Sequence, residues 1–235
     1  MLDATLTTLL AQNDRHVTSL SDDHFADVVT GQRPAVVSIC CADSRVSQEG
    51  MWDLDRPGWL FTPSTIGNQT WDLVDGERVV DGSVLYPIVE TETETALVVG
   101  HTGCGAVSAA LAAVRDERST ADYPRGVAKW VDLLVPVVAD GLADGRVSPD
   151  REASVVNQLV EFNVDRQVAF LRESADVPDD QSVFGVVYDF QSVYGTTPGR
   201  TYLVNADGET DTDVLRKLVP DDHEASVKRL LPPEA

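Results

Sequence analysis

Short apolar runs, rich in β-branched residues and poor in alternation, recur along this chain. Runs of this kind predict strands that are buried on both faces, as in a parallel sheet. We expect strands at residues 35–40, 59–62, 96–99 and 184–188, and a hairpin through residues 196–208.

Helical spacing of apolar positions is found between these runs. Residues 83–89 fit a helix or an irregular segment, whereas the other candidates are longer. Strands that alternate with helices predict an α/β fold with a mostly parallel central sheet flanked by helices. We expect one domain over residues 1–235, beginning with an N-terminal helical arm. The predicted helices are at residues 1–30 (the arm), 106–118, 127–140 and 151–172.

The charge balance is strongly acidic. The chain has 39 Asp and Glu residues against 18 Lys and Arg residues, which gives a formal net charge of -21. Nucleic acid and anionic membranes would be repelled by such a surface. Dispersed carboxylates with few lysines are typical of a halophile's cytoplasmic protein, because repulsion between them needs screening by salt. We therefore predict a fold that is more stable in molar salt.

No apolar run approaches the roughly 18 to 20 residues that span a bilayer, and the N-terminus carries early acidic residues rather than a basic flank. These features predict a soluble chain without a signal peptide. Three cysteines, of which Cys40 and Cys41 are adjacent, do not suit a disulfide framework. We expect a cytoplasmic protein in which the cysteines serve metal binding or catalysis.

Two motifs follow predicted buried strands directly. Cys41 begins the first, CADSR, and the second, HTGCG, contains His101 and Cys104. The carboxyl ends of neighbouring parallel strands meet at one edge of a sheet, which is where ligands gather. Two thiolates and one imidazole form a three-ligand zinc site with an open fourth position, the arrangement of catalytic zinc. We predict a Zn²⁺ site at these three residues, with Cys40 on the opposite face of the strand.

The two motifs together resemble a known signature. C-x-D-S-R followed some sixty residues later by H-[ST]-G-C-G-A is similar to the zinc-binding signature of the β-class carbonic anhydrases. The resemblance covers roughly residues 31–190, through the segments GQRP, FTPSTIGN, Tyr86-Pro87 and YDF. It implies reversible hydration of carbon dioxide to bicarbonate and a proton, by attack of a zinc-bound hydroxide. It also implies a homodimer or a dimer-based higher oligomer.

Roles for individual residues follow from the resemblance alone. It implies a catalytic dyad in which Arg45 orients Asp43, and Asp43 accepts a hydrogen bond from the metal-bound water. Asp43 is also the fourth zinc ligand in a closed state of some family members. The implied substrate-binding residues, some of them supplied by a partner chain, are Gln32 as a hydrogen-bond donor and Phe61, Ile66 and Tyr86 as the pocket lining.

The sequence departs from the family pattern in FTPSTIGN. Ser64 and Thr65 stand where the family commonly has Arg and Asn, which removes an expected support of the local backbone, and Pro63 lacks an N–H donor. Two alternatives therefore stay open at this point. One is hydrolysis of a carbon dioxide analogue, carbonyl sulfide or carbon disulfide, on the same site. The other is a zinc-binding homologue without turnover.

Overall fold

The computed structural model describes residues 4–233, so the first three residues of the predicted arm lie outside the described part. Two short 3-10 helices, Thr120–Asp122 and Asp221–Ser226, accompany the main elements. The helices are α1 (Ala4–Ser19), α2 (Gln48–Met51), α3 (Gly82–Glu90), α4 (Gly105–Val114), α5 (Arg125–Ala143), α6 (Val155–Glu173) and α7 (Thr212–Arg216). The strands are β1 (Val36–Cys41), β2 (Leu60–Phe61), β3 (Ser64–Thr65), β4 (Trp71–Val74), β5 (Glu77–Val80), β6 (Thr95–His101), β7 (Ser182–Asp189) and β8 (Arg200–Ala206).

The central sheet has the strand order β2-β1-β6-β7-β8, and β3 also pairs with β1. All of these pairings are parallel except β7 with β8, which is antiparallel. The predicted α/β architecture with a mostly parallel sheet is confirmed. Cys40 of β1 lies opposite Val99 of β6, so the two strands end side by side at Cys41 and His101.

Helix α6 packs closely on the middle of the sheet. A side chain at Gly100 of β6 would place its Cβ 2.6 Å from a methyl carbon of Val164. Val160, Val164 and Val168 are fully or almost fully buried there, which gives α6 the continuous apolar face that its sequence spacing predicts. Tight packing of α6 against β6 fixes the strand that carries His101.

The predicted arm is helical only in its first part. Residues 20–30 form consecutive turns instead, in which His24 N–H bonds to the Ser21 carbonyl and Ala26 N–H bonds to the Asp23 carbonyl. The Ser21 hydroxyl also donates to the Asp23 carboxylate over 2.7 Å. Short polar side chains of this kind compete with helical hydrogen bonding. The extension of the helix beyond Ser19 was therefore a wrong prediction.

A hairpin of β4 and β5 was not predicted. Its turn is Asp75-Gly76, with φ angles of 52° and 87°. Asp-Gly between two apolar stretches is a strong hairpin signal, because the turn needs positive φ at both central residues. Helix α6 begins at Val155, four residues later than predicted, because Ser154 caps it by accepting from Asn157 N–H.

Within residues 4–233, no helix combines the length and the apolar content that a bilayer crossing requires.

Candidate metal centre

Three metal-ligating side chains converge at the carboxyl edge of the sheet. Cys41 ends β1, His101 ends β6, and Cys104 immediately precedes α4. Their ligand atoms all lie within 4.8 Å of one another, and the two Sγ atoms are 3.9 Å apart. All three residues are at least nine-tenths buried. The structure thus brings together the three residues that the sequence predicts as ligands.

The geometry of this cluster fits a tetrahedral ion. Two sulfurs bound to zinc at about 2.3 Å would lie roughly 3.8 Å apart, close to the observed separation. His101 Nδ1 donates to the Thr102 carbonyl over 3.0 Å, which leaves Nε2 as the atom with a free lone pair. His101 Nε2 is buried and has no hydrogen-bond partner. A buried nitrogen without a partner is costly unless a ligand binds it.

The two cysteine sulfurs form a hydrogen bond with each other over 3.9 Å. The pKa of Cys41 is lowered chiefly because the Cys104 thiol donates a hydrogen bond to it, and Gly67 N–H donates a further one over 3.4 Å. The pKa of Cys104 is raised for the complementary reason, since it retains the shared proton, and burial adds to this. Backbone N–H groups of Ala106 and Val107 at the start of α4 act in the opposite direction. Cys41 is thus the sulfur of the two that gives up its proton more easily.

Gly103 shapes the turn between two of the ligands. Its φ angle is +66°, which an L side chain rarely adopts, and a Cβ there would meet the Gln191 side chain at 2.6 Å. Gly103 N–H donates to Asn157 Oδ1 over 2.8 Å, and Asn157 in turn donates to Gln191 Oε1. Sequence reasoning missed Asn157 and Gln191. The only available signal was the polar start of an otherwise apolar helical stretch, which does not show what it contacts.

Asp43 and Arg45 form the predicted pair. Arg45 Nε and Nη2 donate to the two carboxylate oxygens of Asp43 over 2.8 and 2.6 Å, and its backbone N–H donates over 2.9 Å. The side-chain hydrogen bonds from Arg45 hold the pKa of the Asp43 carboxyl well below its usual range. Asp43 Oδ2 lies 3.8 Å from His101 Nε2. An ionised carboxylate therefore stands beside the ligand cluster.

The four predicted substrate-binding residues lie on different segments of the chain. Ile66 precedes Gly67, whose N–H donates to Cys41 Sγ over 3.4 Å. Phe61 and Tyr86 contact each other, with ring centroids 6.2 Å apart, and Tyr86 is half exposed. Gln32 is exposed and precedes β1, and the six residues of that strand run about 16 Å from Val36 to Cys41 at about 3.3 Å per residue.

The departure in FTPSTIGN has a structural counterpart. Gln48, at the start of α2, donates through Nε2 to the hydroxyl of Ser64 over 3.1 Å and to the carbonyl of Pro63 over 3.4 Å. Thr65 donates to the Gln69 carbonyl over 3.1 Å. These contacts support the backbone of the segment that pairs with Cys40 and Cys41. Gln48 was not identified from the sequence, because its partners are brought to it by the fold.

Cys40 points away from the ligand cluster, as predicted. It packs with Val46, Val99 and Val186 on the other face of the sheet. Burial raises the pKa of the Cys40 thiol to about 12. Cys40 is therefore an inert core residue.

Taken together, the fold and the cluster define a class of protein: α/β proteins that can hold a metal ion through two cysteines and one histidine at the carboxyl edge of a parallel sheet. Comparison with known proteins is specific within that class. The profile of the carbonic anhydrase family matches residues 36–195. The chain belongs to the carbonic anhydrase family, and it is an enzyme of this class of lyases.

Relatives with curated names agree. The chain is 31% identical over 196 residues to carbonic anhydrase 2 of Mycobacterium tuberculosis. This alignment covers 83% of this chain and 86% of that protein. It is 30% identical over 173 residues to a carbonic anhydrase of Pseudomonas aeruginosa, covering 72% and 74% of the two chains.

Solved structures share the fold. A tetrameric β-carbonic anhydrase of Sordaria macrospora superposes with a TM-score of 0.69 at 19% identity, over 86% of this chain and 98% of that one. A Coccomyxa β-carbonic anhydrase bound to acetazolamide superposes with a TM-score of 0.66 at 23% identity, over 92% of each chain. The predicted β-carbonic anhydrase-like fold is thereby confirmed.

Proposed function

We propose that this chain catalyses the reversible hydration of carbon dioxide to bicarbonate and a proton at a zinc ion held by Cys41, His101 and Cys104. The observation that carries the proposal is the buried, unpartnered Nε2 of His101 among two cysteine sulfurs, with the Asp43 carboxylate 3.8 Å away. Two thiolates and one imidazole are a ligand set that zinc favours, and three protein ligands leave a position open. Membership of the carbonic anhydrase family supports the reaction.

When bound, zinc supplies a Lewis acid that lowers the pKa of water from 15.7 to roughly 7 in sites of this kind. The protein supplies orientation. Asp43 is ionised and directly beside the cluster, so it accepts a hydrogen bond from the attacking water and turns a lone pair of that water toward carbon dioxide. Arg45 occupies both carboxylate oxygens and thereby prevents Asp43 from rotating. Asp43 is the catalytic residue of this proposal, and Arg45 orients it.

A second copy of the chain completes the substrate pocket in this proposal. Every residue of α1 from Ala4 to Ser19 is exposed, including Leu6, Leu9 and Leu10, which share one face of the helix. Isolated helices of about this length are marginal in water, so α1 needs a partner surface. Gln32 follows the arm and precedes β1, whose opposite end carries Cys41, which supports donation of Gln32 to the partner's pocket.

In this proposal, residues 1–235 form one zinc domain, and its N-terminal arm packs against a second copy of the chain. The solved Sordaria macrospora relatives are described as tetrameric, which supports a dimer-based assembly here. Ile66, Phe61 and Tyr86 keep partly exposed apolar surface. In the dimer they line the path by which a small, weakly polar substrate reaches the ion.

The acidic composition supports a halophilic, cytoplasmic setting. A net charge of -21 on 235 residues is favoured where molar salt screens the repulsion between carboxylates. All three cysteines are unpaired, which suits a reducing compartment.

Stopped-flow measurement of carbon dioxide hydration tests the reaction. Protein loaded with one zinc per chain should accelerate hydration, and protein stripped by a chelator should not until zinc is restored. Carbonyl sulfide is the comparison substrate. Hydrolysis of carbonyl sulfide without hydration of carbon dioxide would assign the site to the analogue hydrolase, and zinc binding without either reaction would leave a non-catalytic protein.

A further inference from the structure

Most hydrogen bonds of Asp43 and Arg45 join these two residues to each other within one loop. The three mutual hydrogen bonds join residues two apart, so the pair can move as one unit without losing them. The Arg45 side chain is 49% exposed, and exposed ion pairs constrain position weakly. The contacts that hold the pair beside the ligand cluster must therefore come from outside the loop.

Two such contacts are present. Arg45 Nη2 donates to the Gly103 carbonyl over 3.1 Å, which ties the guanidinium to the turn between two metal ligands. The Arg45 guanidinium also lies over the Phe190 ring, with Cζ 4.8 Å from the ring centroid. A cation this close to an aromatic face is attracted by the ring quadrupole.

The same aromatic ring contacts a metal ligand. Phe190 stacks on the His101 imidazole, with centroids 5.9 Å apart and planes inclined by 23°. One ring thus contacts both the exposed half of the dyad and the buried histidine. Within residues 4–233, no other aromatic side chain contacts both Arg45 and His101.

The backbone around Phe190 is held firmly. Asp189 ends β7 and is fully buried. Its carboxylate accepts hydrogen bonds from Gln191 N–H over 3.1 Å and from Tyr194 N–H over 2.7 Å, so the chain on the far side of Phe190 folds back onto it. The Thr102 hydroxyl donates to the same carboxylate over 3.3 Å. Phe190 is therefore fixed to the strand end that adjoins His101.

We propose that Phe190 is a positioning residue that holds Arg45, and through it Asp43, beside the ligand cluster in the orientation that catalysis needs. The inference rests on the proposed function, in which Asp43 orients the attacking water. Without the ring, the Arg45 guanidinium would keep only its hydrogen bond to the Gly103 carbonyl outside the loop. The dyad would then sample orientations in which Asp43 no longer faces the substrate, while the three metal ligands would stay in place.

The test compares Phe190→Leu, which removes the ring at similar volume, with Phe190→Tyr, which keeps it. For the leucine variant we expect roughly tenfold lower kcat, of the order of a cation–π contact. KM and zinc content should stay near those of the parent. The tyrosine variant should recover most of kcat. Phe184→Leu is the matched control, because Phe184 lies near the start of β7, at the other end of the strand that Phe190 follows, and should leave kcat unchanged.

A second readout does not depend on activity. Phenylglyoxal modification of Arg45, followed by peptide mass mapping of the folded protein, reports how freely the guanidinium moves. Modification should be several-fold faster in Phe190→Leu than in the parent, Phe190→Tyr and Phe184→Leu proteins. An unchanged rate at Arg45, or equal loss of kcat in the leucine and tyrosine variants, would overturn the proposal. If the parent protein hydrates no carbon dioxide, the proposed function fails, and the modification rates still decide the role of Phe190.

Discussion

The ligand cluster and the N-terminal arm differ in almost every physical respect. Cys41 and His101 are buried at the ends of strands that the core fixes, and Cys104 is buried directly before α4. The arm has a 16-residue helix with no buried residue, and it leads to the exposed Gln32. In the proposed function, one chain therefore supplies all three metal ligands, whereas substrate binding depends on the copy that covers the arm.

Removing one metal ligand should have the largest effect. In Cys104→Ser, we expect zinc binding to collapse and carbon dioxide hydration to fall by at least about a thousandfold, because the Lewis acid is lost. Metal analysis and stopped-flow kinetics measure the two quantities. Cys40→Ala is the matched control, since Cys40 is an equally buried cysteine on the other face of the sheet. Comparable zinc loss in both variants would refute the assignment of ligands.

Neutralising Asp43 should have the next largest effect. In Asp43→Asn, we expect kcat/KM to fall by about a hundredfold or more, the usual contribution of a positioned proton acceptor, with one zinc per chain retained. Because Arg45 depresses the pKa of Asp43, the carboxylate is fully ionised above its unfolded pKa of about 3.9. Above that pH, the Asp43–Arg45 pair makes its full contribution to the free energy of unfolding. The contribution is lost only as pH falls through the lower pKa that Asp43 has in the folded protein. The parent's pH-rate profile should therefore show no acid limb from Asp43 at mildly acidic pH. An Asn variant with parental kcat/KM would remove Asp43 from the mechanism.

Charged substitutions on the exposed apolar face of the arm should disrupt assembly rather than zinc binding. In a Leu9→Asp, Leu10→Asp double variant, we expect monomers by light scattering and roughly tenfold lower hydration, because two charges would be buried against the partner. Zinc content should stay at the parental value. Leu218→Asp is the control, as Leu218 is also exposed and apolar but lies outside the arm. If the double variant assembles and turns over like the parent, α1 has no part in assembly.

A change in salt concentration should have the smallest effect of the four. It should leave zinc binding at the buried cluster unaltered and should change the stability and the assembly of the acidic protein. Raising KCl from about 0.1 M to about 2 M shortens the screening length to a few ångströms, so we expect a higher melting temperature and tighter assembly. Zinc stoichiometry should stay constant. A melting temperature that is unchanged or lowered would contradict the halophilic interpretation.

The same contrast explains what could be predicted from the sequence. The buried strands and the convergence of the three candidate ligands were predictable, because apolar runs that end in CADSR and HTGCG indicate both the sheet and the edge where these residues meet. Contacts between distant segments could not be predicted. Neither the hydrogen bond from Gln48 to Ser64 nor the stacking of Phe190 on His101 is indicated by the sequence near these residues. The Asp75-Gly76 turn did have one and was overlooked. The arm was overextended because side-chain bonds at Ser21 compete with the helix.

Complementation between two inactive variants tests most directly whether one chain holds the metal while its partner supplies Gln32. Cys104→Ser lacks the ion, and Gln32→Ala lacks the predicted donor. In a mixed dimer, the zinc site of the Gln32→Ala chain would receive Gln32 from the other chain. The account predicts that mixing and reassembling the two proteins restores hydration well above the sum of the separate activities. Activity that merely equals that sum, in samples shown to contain mixed dimers, would contradict a site shared between copies.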